Sequence, residues 1–111
     1  MAELNRFKTV THVVTTNNDV VYTTPTGYSG IVLMAQITNI GSTTQSVTFS
    51  HYDTSATTET ELLKNYDIPT EDAASPLTGK LIVEAGDSIK MQASANSAFK
   101  LTLSILESSN G

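Results

Sequence analysis

The residues best able to do chemistry in this chain are carboxylates, and one compact pair of them sits in Glu84-Ala85-Gly86-Asp87, between two alternating runs. Two carboxylates three residues apart could share a proton or hold a hard cation if both faced one space. Their flanks point elsewhere. Leu81 and Val83 on one side, and Ile89 and Met91 on the other, alternate as paired strands do, with Gly86 where a left-handed backbone is useful. The pattern predicts a hairpin bend whose acids are solvated by water. Glu59, Glu61, Asp67, Glu71 and Asp72 form a denser acidic stretch relieved by Lys64. Calcium prefers such oxygens, but the ordered Asp-Xaa-Asp-Xaa-Asp-Gly loop is missing, so a solvated acidic face is expected.

The other reactive types are sparse. A Gly-Asp pair before an alternating strand also occurs in cupin barrels, where several imidazoles and a carboxylate hold a transition metal. Here only His12 and His51 are present, each in a predicted strand, with no His-Xaa-His. The absence of cysteine excludes a thiolate nucleophile, a zinc-thiolate site and a disulfide. Ser29 and Gly30 in "GYSGI" lack the spacing of a nucleophile elbow and read as a turn. No catalytic residue, cofactor or metal is expected. Tyr22, Tyr28, Tyr52 and Tyr66 are the side chains that could stack on sugar rings, although Trp is absent.

These residues must be positioned by strands. Thr and Ser make up roughly a quarter of the 111 residues, and Thr, Val, Ile and Tyr suit a pleated, half-buried surface. Period-2 alternation predicts strands over 7–14, 19–24, 31–40, 45–53, 61–68, 80–84, 88–93 and 98–106. About eight short strands predict an all-β chain, an antiparallel β-sandwich with jelly-roll-like or Ig-like topology left open. In the third strand Ile31, Leu33, Ala35 and Ile37 form the core set, with Val32, Met34, Gln36 and Thr38 opposite. The expected core is Leu33, Ile37, Val47, Phe49, Leu81, Val83, Ile89, Phe99, Leu101, Leu103 and Ile105. Pro69 and Pro76 cannot donate to a ladder, so the segment 68–79 should cross between sheets. Residues 1–111 read as one domain, with a short N-terminal arm, "MAELNRFK", and a loose tail, "ESSNG".

A net charge of −5 argues against a nucleic-acid groove or an anionic membrane surface, and no apolar run nears the ~20 residues of a membrane span. The opening residues show no secretory leader, so cytoplasmic synthesis is expected. Val10, Val14, Val32, Met34 and Ile40 lie on mixed strand faces and are candidates for a subunit interface.

The order of pieces, "VVYTTPTGYSGIVLMAQITNIGSTTQSVTFSHYD" followed by "LLKNYDIPTEDAASPLTGKLIVEAGDSIKMQASANSAFKLTLSILES", resembles small virion structural proteins of tailed phages, especially those of marine cyanobacteria. The resemblance spans Val20 to Glu107. It implies a non-enzymatic homo-oligomer in the virion, partnered by itself and other virion structural proteins, on a capsid, neck or tail. The alternative is a receptor- or carbohydrate-binding module that uses the four tyrosines.

Overall fold

The computed structural model describes residues 5–110 and contains nine strands. They are β1 (Asn5–Val13), β2 (Asp19–Thr23), β3 (Tyr28–Asn39), β4 (Gln45–Asp53), β5 (Thr58–Ile68), β6 (Ala73–Ala74), β7 (Leu81–Val83), β8 (Ser88–Ala93) and β9 (Phe99–Ser109). One sheet has the order β1-β9-β3, with β6 and β7 both paired to β3, and the other has the order β2-β8-β4-β5. Every pairing is antiparallel. The two sheets pack as a sandwich, and this order is a jelly roll, not an Ig arrangement.

The core lies between the sheets and is built from the inward phase of each strand. Phe99, Leu101, Leu103 and Ile105 of β9 meet Val47, Phe49, Ile89 and Met91 of the opposite sheet, all fully buried or nearly so. Two expected core residues sit differently. A bulge between Val32 and Met34 shifts the pairing of β3 with β9, so Val32 points inward before it and Ala35 and Ile37 point inward after it. Leu33 is thereby turned out and is 36% exposed. Leu81 is only partly buried, because it lies at the start of the three-residue edge strand β7.

The expected hairpin at Glu84 to Asp87 is not one. β7 pairs with β3, whereas β8 pairs with β2 and β4, so this segment is a corner that carries the chain from one sheet to the other. Alternation fixes which way side chains face and is silent about which strands are neighbours. The crossing expected over 68–79 is present: β5 belongs to one sheet and β6 and β7 to the other. Ser29 and Gly30 are in β3 and not in a turn.

The two chain ends also differ from expectation over the described residues. From Asn5 the supposed arm is β1, paired with β9 from Asn5↔Ser108 to Val13↔Lys100, and the supposed loose tail continues β9 as far as Ser109. Residues 1–4 of the arm and Gly111 of the tail lie outside the described residues.

Candidate functional site

Following β9 outward from the core leads to a fully buried carboxylate. Glu107 continues the inward phase of Phe99, Leu101, Leu103 and Ile105, and its side chain is fully buried. Opposite it on β1 stands Arg6, and opposite it on β3 stands Gly30. The Arg6 Nε donates to Glu107 Oε1 at 2.6 Å. The Tyr22 hydroxyl, from the other sheet, donates to Oε2 at 2.6 Å, and Lys8 Nζ, from β1, approaches the same oxygen at 3.7 Å. The guanidinium of Arg6 also lies 4.1 Å from the centre of the Tyr28 ring.

Gly30 makes the arrangement possible. A Cβ there would stand 2.6 Å from Thr24 Oγ1 and 3.1 Å from the Tyr22 hydroxyl, so the missing side chain is the space into which the second sheet reaches. Thr24 in turn donates to the Val83 carbonyl at 2.9 Å. Burial by itself raises the Glu107 pKa, but hydrogen bonds from Tyr22 and Arg6 and the charges of Lys8 and Arg6 outweigh it and hold the carboxyl below its ordinary value. Burial, joined by the hydrogen bond to Glu107, pushes the Tyr22 phenol up to about 12. A carboxylate so saturated with donors is a brace: it ties the edge strand β1 and both sheets together.

Asp87 is a second brace, and its acid is not solvated as the sequence suggests. It is 4% exposed; its Oδ1 accepts from the Thr54 backbone N–H at 3.1 Å, and its backbone joins the corner to Glu84 and Thr24. The neighbouring Gly86 has φ +85°, accepts from Thr54 Oγ1 and donates to the Thr24 carbonyl, so the corner is locked to two other loops. His51 Nε2 stands 3.6 Å from Asp87 Oδ2, beyond hydrogen-bond length. His12 Nε2 is likewise 3.7 Å from Asp19 Oδ2, beside a hollow of about 380 Å³ lined by residues 11–13 and 100–102. The two histidines belong to separate clusters. At the opposite end of the sandwich Asn39 is buried, donating to the Thr43 and Ile68 carbonyls and accepting from the Gly41 N–H.

The other candidates are dispersed. Tyr22 is in the core, the Tyr28 ring is covered by Arg6, the Tyr52 ring is covered by Lys90 at 4.6 Å, and Tyr66 stands half-exposed on β5. They do not form one sugar platform. Of the interface candidates, Val14 and Val32 are fully buried and unavailable, Val14 because its N–H pairs with the Phe99 carbonyl beyond the end of β1 and Val32 because of the bulge. Val10 packs partly against the core, whereas Met34 and Ile40 are exposed. In the acidic stretch, Glu59 pairs with Lys90 at 3.9 Å and accepts from Asn18. Among the described residues no three His, Cys, Asp or Glu converge as a metal site. Glu107 was missed because the predicted strand stops one residue short of it; the signal was an acid in the core phase of β9.

No protein-family model and no curated protein matches the chain. Solved structures do. A chain from the disulfide-linked pili of Bacillus endospore appendages is similar over 97% of this chain and 88% of its own, with a TM-score of 0.59 and 11% identity. A chain from the acidic stable capsid of Helicobacter pylori bacteriophage KHP30 is similar over 100% of this chain and 92% of its own, with a TM-score of 0.55 and 12% identity. At these identities, what the protein shares with both is the fold.

Proposed function

We propose that the chain is a non-enzymatic structural subunit of a bacteriophage virion, made in the host cytoplasm and assembled in many copies. The fold carries this reading: a complete jelly roll, similar along its whole length to a chain of a phage capsid, in a sequence whose motif order resembles small virion proteins. Its mechanism is mechanical. Glu107 and Asp87 near one end of the sandwich and Asn39 at the other tie loops and sheets into a stiff brick, and repeated modest contacts between bricks sum through multivalency. The likeness to a pilus chain supports the same kind of role, but this chain has no cysteine, so its contacts are made without disulfides.

The finer part of the proposal is an accessory place on the particle, as a decoration, neck or tail component of a phage of marine cyanobacteria. Its partners are other copies and other virion proteins, with no direct contact to nucleic acid or membrane. Cryo-electron microscopy of purified particles, with copies counted, tests the reading. Many copies on a capsid, neck or tail surface are expected. Absence from particles refutes it, and a few copies at a fibre tip with glycan binding would favour the receptor-binding alternative.

A further inference from the structure

We propose that the outward face of the sheet β1-β9-β3-β7 is the surface on which a second copy of this chain packs, sheet against sheet. This rests on the assembly reading above and adds the face and the partner. Pairing sets one apolar residue from each of four strands in a single row: Phe7 opposite Leu106, Leu106 opposite Ile31, and Ile31 opposite Ile82. Residues directly opposite on neighbouring strands share a side of the sheet, so the row crosses the whole outer face. Phe7 is 77% exposed and Ile82 52% exposed. The bulge in β3 adds Leu33 and Met34, both exposed, one step along the strands.

Charge says what covers the row. The chain carries 11 acids against 6 bases, so two copies repel unless the faces that meet lack carboxylates. Among the described residues, those that the pairings place on this outward face include no Asp or Glu, and Lys100, six residues along β9 from the row, is the one charged side chain. The outward face of the other sheet presents Glu59, Glu61 and Lys90. Packing against that face would desolvate charges; packing the carboxylate-free face against its own copy along the row, away from Lys100, desolvates none of these. A two-fold axis along the strands, midway between β9 and β3, lays row on row, with Phe7 over Ile82 and Leu106 over Ile31. The exposed patch is on the order of a few hundred Å². That is less than the roughly 800 Å² each partner gives to a stable interface, so one contact is weak and repetition holds the array.

The absence of cysteine lets one introduced thiol report one face. Ser104→Cys lies beside the row, and Gln92→Cys lies on the outward face of the other sheet. Full-length protein carrying either thiol is treated with a bismaleimide linker that spans about 10 Å, the spacing of packed sheets. The expected result is dimer formation about tenfold faster for Ser104→Cys. Adding Phe7→Ser and Ile82→Ser should reduce that rate to the Gln92→Cys level, while the melting temperature shows that the fold persists. Equal rates for the two thiols, or a Ser104→Cys rate indifferent to the added changes, overturns the proposal. Particle composition separates the two readings. A chain abundant in particles but failing this test loses the face and keeps the virion role, and one that passes while absent from particles does the reverse.

Discussion

Replacing Tyr22 by Phe removes one oxygen atom from the middle of the Glu107 brace and leaves the ring that packs in the core. The lost bond is a 2.6 Å donation to a buried, charged acceptor, the class of hydrogen bond that contributes about 1.5–3 kcal/mol. Lys8 at 3.7 Å is too long to replace it, so the upper half of that range is expected, about 2–3 kcal/mol. For a domain of this size that is a fall in melting temperature on the order of 10 °C. Urea unfolding at neutral pH measures the loss, and melts taken across pH measure its origin. Because the folded Glu107 holds its proton less tightly than the unfolded chain does, the brace contributes fully above the unfolded carboxyl pKa and fades as pH falls through the lower folded value. Tyr22→Phe should therefore show a shallower acid limb than the parent protein. The phenol gives the opposite sign: raised to about 12, it contributes below its ordinary pKa of 10.0 and is lost as pH rises between those values, a limb that Tyr22→Phe should lack. A Tyr22→Phe protein as stable as the parent at neutral pH, with an unchanged acid limb, would refute the brace.

Three further outcomes are expected. Val32→Ala should cost about 1.5–3 kcal/mol and Leu33→Ala under about 1 kcal/mol, the reverse of what uninterrupted alternation implies; equal costs in denaturant melts would contradict the bulge. Gly30→Ala should destabilise by more than about 1 kcal/mol, because its methyl meets Thr24 Oγ1; Thr24→Ser leaves that oxygen in place and should not rescue the variant, and a rescue would place the clash elsewhere. Asp87→Ala leaves the Thr54 N–H without its acceptor and should cost about 1–3 kcal/mol, with faster amide exchange at Thr54; unchanged exchange there would remove the corner lock.

How much of this was legible follows from what alternation can encode. The all-β class, the sandwich, the crossing over 68–79 and the inward set of β9 follow from residue type and period 2, which are local properties. So did nine of the eleven expected core residues: Leu33 was displaced by a bulge that exists only because β3 has a partner, and Leu81 by the shortness of an edge strand. The corner at Glu84 to Asp87 looked like a hairpin because faces are written in sequence and neighbours are not. Glu107 was readable as an acid in an apolar phase, but its donors come from β1, about a hundred residues earlier, and from Tyr22 on the other sheet. No spacing announces such a meeting, since it costs chain entropy that only the assembled core offsets. The sequence by itself determined which residues turn inward along most strands; the tertiary structure decided which strands adjoin, and with that where a buried charge finds its partners and which apolar residues line up on the surface.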